Sequence, residues 1–88
     1  MRMNFVDHKL ELDYPCSWSY TLIGGQEEKL RQAIDAVAGG VEHSVKPGNK
    51  SKTGKYCSLT LELEVKSEAM RIAIFYALEE QADVRSVL

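Results

Sequence analysis

Lys55-Tyr56-Cys57-Ser58-Leu59-Thr60-Leu61-Glu62-Leu63-Glu64-Val65 alternates almost without fault. Cys57, Leu59, Leu61, Leu63 and Val65 point one way, and Tyr56, Ser58, Thr60, Glu62 and Glu64 the other. Side chains on a strand switch faces at every residue, so the stretch is a strand with one apolar and one polar face. Such a strand belongs to a sheet covered on one side only, which favours antiparallel pairing.

Working outward, Ser17 to Ile23 reads as a second such strand, with Trp18, Tyr20 and Leu22 on one face and Ser17, Ser19 and Thr21 on the other. Gly24-Gly25 breaks it. A helix over 26–38 follows, because Leu30, Ala33, Ile34, Val37 and Ala38 share one helical face. Glu27 and Glu28 sit in its first turn, where the helix dipole favours negative charge, and Gly39-Gly40 is its stop. Val41 to Lys46 reads as a strand with Val41, His43 and Val45 on one face. Pro47 to Gly54 is a polar loop. Ser67 is placed to cap a second helix running to Gln81. Its main stripe is Met70, Ala73, Ile74, Ala77 and Leu78, and Ile72, Phe75 and Tyr76 form an additional apolar flank. Val84 to Leu88 reads as the last strand. Residues 1–13 read as an N-terminal arm, in which Leu10 and Leu12 alternate with Lys9, Glu11 and Asp13 in the manner of a short edge strand or a docked extended segment, and 14–88 as one domain.

The order strand, helix, strand, strand, helix, strand has a compact solution once each strand–helix–strand crossover is right-handed. It is the α+β, ferredoxin-like βαββαβ fold: a four-stranded antiparallel sheet with two helices on one face. The first and third strands are then central and antiparallel. This puts Cys16 and Cys57 at opposite ends of strands spanning roughly 25 Å, whereas a disulfide needs α-carbons within about 7 Å. Both thiols are expected free.

Eighty-eight residues suit one domain with a modest core. At 44% hydrophobic and 27% charged the composition is that of a globular domain, and a net charge of −2 disfavours a dedicated nucleic-acid binder. The longest apolar run, Ile72 to Leu78, is far short of the roughly 20 residues of a membrane span. The N-terminus lacks a secretory apolar segment, so a cytoplasmic location is expected.

Tyr14-Pro15-Cys16-Ser17-Trp18-Ser19-Tyr20-Thr21-Leu22-Ile23-Gly24 resembles the opening of the YbeD-like family of small bacterial domains. Lys46-Pro47, a polar loop and Lys55-Tyr56-Cys57-Ser58-Leu59-Thr60 give a second match. Phe75 and Leu78 ahead of Val84-Arg85-Ser86-Val87-Leu88 give a third. The resemblance spans about residues 12 to 88 and implies the βαββαβ fold reached from periodicity. It also implies a similarity to ACT-type regulatory domains and a tie to lipoate metabolism. It implies no catalytic residue. The loop from Pro47 to Lys55 is a few residues longer than in some members.

Several constellations invite a functional reading beside a plainer structural one. Lys46, Lys50, Lys52 and Lys55 place four positive charges around one loop of an acidic chain; they suit an anion or acidic partner, or are an ordinary solvated hairpin loop. Gly24-Gly25 opens a helix and suits a small effector, although Glu27 and Glu28 would repel an anion there. The plain alternative is a tight strand-to-helix turn. Trp18, Tyr20 and Tyr56 raise base stacking on RNA. Trp18 and Tyr20, however, share the face the helices cover, which leaves Tyr56 as one platform among acids that repel phosphate. His8, His43, Cys16 and Cys57 are scattered and form no metal-ligand spacing. No Ser/His/Asp or Cys/His set shares a corner, and Glu62 with Glu64 reads as a solvated pair.

The reading is a non-enzymatic regulatory or protein-interaction module, ACT-like, with no cofactor and no metal. Ile72, Phe75 and Tyr76 are its candidate contact surface for an unknown protein partner or for a second copy in a homodimer. The alternative is small-ligand or anion binding at Gly24 and Gly25, or at the lysine loop with Tyr56.

Overall fold

The computed structural model describes residues 12–48 and 54–88. Strand β1 (Cys16–Gly24) leads into helix α1 (Glu27–Ala38), followed by strands β2 (His43–Pro47) and β3 (Cys57–Val65), helix α2 (Glu68–Glu79) and strand β4 (Ser86–Val87). The sheet runs β2-β3-β1-β4, all antiparallel, with β1 and β3 central. This is the ferredoxin-like βαββαβ arrangement expected from the alternation.

The long alternating strand behaves as its pattern dictates. Cys57, Leu59, Leu61, Leu63 and Val65 are all buried, while Ser58, Thr60, Glu62 and Glu64 are not. Residues directly opposite in a sheet share a face, so Trp18↔Leu63, Tyr20↔Leu61 and Leu22↔Leu59 set β1's apolar residues beneath the helices. Tyr20 is 2% exposed, and Trp18 packs against the core from its margin. Cys16 pairs with Val65 and Gly24 with Cys57, so the two cysteines occupy opposite ends of the ladder and are free.

Helix α1 buries Leu30, Ala33, Ile34 and Ala38, the face its spacing defines. Gly39 ends it in a right-handed conformation (φ −62), with its N–H bonded to the Asp35 carbonyl. Ser67 caps α2 by accepting from the Met70 amide at 3.1 Å.

Element ends differ from the sequence reading for identifiable reasons. Val41 is not in β2, because its N–H bonds the Ala38 carbonyl in the turn that leaves α1. Helix α2 stops at Glu79, two residues early, where Gln81 N–H bonds Leu78 O and Val84 N–H bonds Gln81 O in a tighter turn. Of the expected main stripe of α2, Leu78 is fully buried, Met70 and Ile74 are half-buried and Ala73 is exposed. The last strand is also shorter than expected: β4 pairs Val87 with Leu22 and Ser86 with Ile23. Most of the proposed N-terminal arm (residues 1–11, with His8 and Leu10) lies outside the described residues, as do Lys50 and Lys52.

Candidate functional site

Two places gather the residues singled out above. The first lies where β1 overhangs the short β4. There Trp18, Tyr20, Arg71, Ile72, Tyr76 and Leu88 line a groove of about 410 Å³. Its apolar rim is open to water: Ile72 is 39% exposed, Tyr76 57% and Leu88 74%. Phe75 also borders it, but packs partly on the core and meets Tyr76 edge to face at 5.3 Å. Of the expected flank, then, Phe75 supports the fold, and Ile72 and Tyr76 form the free surface.

Arg71 organises this groove. Its guanidinium lies 4.9 Å from the Trp18 ring centroid and its Nε donates to the Tyr14 hydroxyl at 3.0 Å. That bond favours the charged form and pushes the guanidinium further above its ordinary range. Its Nη2 stands 3.9 Å from Glu68. The Arg71 backbone carbonyl accepts from the Tyr20 hydroxyl at 2.6 Å. Burial raises the Tyr20 pKa, outweighing the nearby Arg71 charge that lowers it. The floor of the groove is therefore pinned by satisfied polar contacts, while its rim is apolar. Sequence reasoning missed Arg71. The available signal was a lone arginine inside the otherwise apolar run from Met70 to Leu78, one turn before Phe75.

The second place is the far end of the same sheet. Gly24 pairs with Cys57, which brings Gly25 beside Lys55: a Cβ on Gly25 would stand 4.0 Å from the Lys55 carbonyl. The Arg85 guanidinium lies 5.1 Å from the Tyr56 ring centroid, and the Arg85 amide donates to the Ile23 carbonyl. The glycine corner and the near end of the lysine loop, separate in sequence, are thus one locus, with Arg85 as an unforeseen member. Gly24 itself has a packing role: a Cβ there would come within 2.7 Å of both the Asp83 carbonyl and Leu30 Cδ2. Gln26, the N-cap of α1, makes no side-chain cap bond, and Glu27 pairs with Arg31 at 3.0 Å. Lys46 sits away from this corner, on the open sheet face, 3.4 Å from Glu62.

That open face carries Ser17, Ser19, Thr21, Ser44, Lys46, Thr60, Glu62 and Glu64 by register. Glu64 pairs with Lys66, and the Thr21 and Thr60 hydroxyls meet at 3.4 Å. His43 is half-buried with Nδ1 2.7 Å from the Val41 carbonyl. Among the described residues no group of three or more His, Cys, Asp or Glu side chains is placed to hold a metal, and no helix is long and apolar enough to cross a membrane.

Helices confined to one face of a sheet ordered β2-β3-β1-β4 define the ferredoxin-like α+β class, a fold that ACT domains share. An ACT domain from a GTP pyrophosphokinase of Chlorobium tepidum superimposes with a TM-score of 0.62 at 13% identity, over 84% of this chain and 96% of that one. The chain belongs to the family described as "Protein of unknown function (DUF493)", the YbeD-like family, whose profile matches residues 9–88. An uncharacterized protein of Campylobacter jejuni is 33% identical over 82 residues, covering 91% of this chain and 94% of the relative. A solution structure of protein HP0495 from Helicobacter pylori matches with a TM-score of 0.79 at 24% identity, over 100% of this chain and 97% of that one. The two solved structures carry the same fold.

Proposed function

We propose that this protein is a regulatory or protein-interaction module with no catalysis of its own, and that the groove beside β1 is its contact surface. The observation that carries this reading is the groove's construction: exposed Ile72, Tyr76 and Leu88 around Trp18, over a floor fixed by Arg71 and Tyr20. Contiguous apolar rims over a rigid floor are what a monomeric domain of this size avoids unless something covers them. Aromatic and arginine anchors are also the side chains that dominate interface energetics. The cellular setting we infer is the cytoplasm and lipoate metabolism, on the strength of the family resemblance. The test is heteronuclear NMR of the labelled chain titrated with the lipoate-transferring enzymes of the native cell. Resonance changes at Trp18, Ile72 and Tyr76 support the reading; a titration that leaves all three unmoved refutes the lipoate-linked contact.

One observation favours a second reading, anion or small-ligand binding. Gly25, Lys55, Tyr56 and Arg85 converge at one corner, beside the N-terminus of α1, whose orphan amides attract negative charge. Glu28, exposed in the first turn, acts against it. Thermal shifts across amino acids, lipoyl compounds and nucleotides separate the two readings. A specific ligand raises the melting temperature by mass action, and that rise should vanish in Arg85→Ala.

A further inference from the structure

We propose that the outward face of α2 docks an amphipathic helix of a partner protein, one that flanks its apolar stripe with lysine or arginine. This deepens the interaction reading above and rests on it, since α2 is one wall of the groove. The spacing of the apolar residues supplies the first observation. A helix lying on a sheet needs one apolar face and turns a polar one to water. The packing face of α2 is Leu78, buried, with Met70, Ile74 and Phe75 set against the core. On the opposite side stand Ala69, Ile72, Ala73 and Tyr76, all exposed. They follow one another at i, i+3, i+4 and i+7, the interval that sets residues on one face. The helix thus carries a second apolar seam where polar side chains belong. Ala69 and Ala73 make a low row beside the taller row of Ile72 and Tyr76. Such a ridge and furrow receive a facing helix at an interaxial distance of about 8–10 Å, and an amphipathic helix laid in an apolar groove is a recurring mode of recognition.

Charge is the second observation, and it names the occupant. The charged side chains that α2 turns to water are acidic: Glu68 at its start, Glu79 and the cap residue Glu80 at its end. The one basic residue of the helix, Arg71, is turned inward. Its side chain is 17% exposed, and its guanidinium lies over Trp18 and bonds Tyr14. Lys66, just ahead of the helix, stands 3.5 Å from Glu64 of the open sheet face. No basic residue in the last turn offsets the negative end of the helix dipole. Glu68 and Glu79 are about three turns apart, so they lie along one side of the seam with about 16 Å between them; Glu80 lies on its other side. A second copy laid on this face would set acid against acid at both ends, whether the two helices ran parallel or antiparallel. An anionic lipid surface would meet the same acids. A helix whose basic residues stand about three turns apart beside its apolar stripe meets Glu68 at one end and Glu79 with Glu80 at the other.

The test titrates the labelled full chain, followed by heteronuclear NMR, with two synthetic helical peptides. They share one apolar stripe and differ only in carrying lysine or glutamate at its flanks. The lysine peptide should shift Ala69, Ile72, Ala73 and Tyr76 and bind at least tenfold tighter than the glutamate peptide. Ala73→Gln, at an exposed position, fills the low row without adding charge; it should weaken that binding at least tenfold while circular dichroism shows the fold kept. Glu79→Lys combined with Glu80→Lys should invert the preference between the peptides. Equal binding of both peptides, or shifts that gather at Glu62 and Glu64 on the open sheet face, overturns the assignment. So does silence towards both peptides. Concentration-dependent shifts of the seam with no peptide present overturn it too, by making a second copy the occupant. In any of these cases a response of Trp18 to the lipoate-transferring enzymes would still uphold the interaction reading. A seam that binds the lysine peptide in a chain silent to those enzymes keeps the docking face and removes the lipoate link alone.

Discussion

Removing one hydroxyl from beneath the groove, by Tyr20→Phe, isolates a single contact. The side chain is 2% exposed and its phenol donates to the Arg71 carbonyl at 2.6 Å. The substitution deletes no carbon, so packing is preserved. The Arg71 carbonyl lies inside α2 and keeps its helical acceptor role, so it is not orphaned. The expected loss is that of one net hydrogen bond, about 0.5–1.5 kcal/mol, or about 4–8 °C per kcal/mol for a domain of this size. The contact also has a pH signature. Burial raises the Tyr20 pKa above its ordinary 10.0, so the folded state holds the phenolic proton more tightly than the unfolded chain does. Its stabilisation is fully present below pH 10 and is lost as pH rises through the folded-state value. Urea melts near neutrality and again above pH 10 measure both effects. Tyr20→Phe should be weaker than the parent near neutrality and should lose less on alkalinisation, the parent's remaining tyrosines titrating equally in both proteins. Equal stability near neutrality, or identical alkaline losses, would refute the reasoning.

Three further outcomes follow from local geometry. Gly24→Ala forces a methyl to within 2.7 Å of the Asp83 carbonyl and Leu30; we expect a loss of roughly 1–3 kcal/mol by chemical denaturation, and a neutral variant would show that the turn at Asp83 yields. Ser67→Ala removes the cap that accepts from Met70 and should cost about 1 kcal/mol, read in the same melts, with helix content by circular dichroism largely kept. Lys46→Ala breaks an exposed pair with Glu62 and should change stability by less than about 1 kcal/mol, with salt erasing whatever difference exists.

The sheet was legible because its signal is local. In β3 every second side chain is apolar for nine residues, and nothing but a half-covered strand satisfies that pattern. The register followed, because a one-residue slip would bury Glu62 and Glu64. Helix α1 was legible for the same reason, carrying one apolar face. Helix α2 and its Ser67 cap were legible too, but its packing face was not, since apolar residues surround most of its circumference and periodicity could not rank its faces. Which flank packs was decided by the sheet beneath it, and Phe75 went inward while Ile72 and Tyr76 stayed out. The sequence offered Ile72, Phe75 and Tyr76 as a surface, but the groove that they border with Trp18 and Leu88 escaped it. That groove exists because β4 pairs only with the end of β1, and the run from Val84 to Leu88 gave no sign of how few residues would pair. Arg71 escaped too, for its partners Tyr14 and Trp18 lie more than fifty residues away. The convergence of Gly25, Lys55, Tyr56 and Arg85 required knowing that Gly24 meets Cys57.

Trp18, the chain's single tryptophan, lines the groove and reports directly on whether anything covers it. Its emission should therefore be followed from nanomolar to millimolar protein, with and without the lipoate-transferring enzymes. A covered groove predicts a blue shift and reduced quenching by acrylamide on association. Emission and quenching that stay constant throughout would contradict the claim that this edge is where the protein does its work.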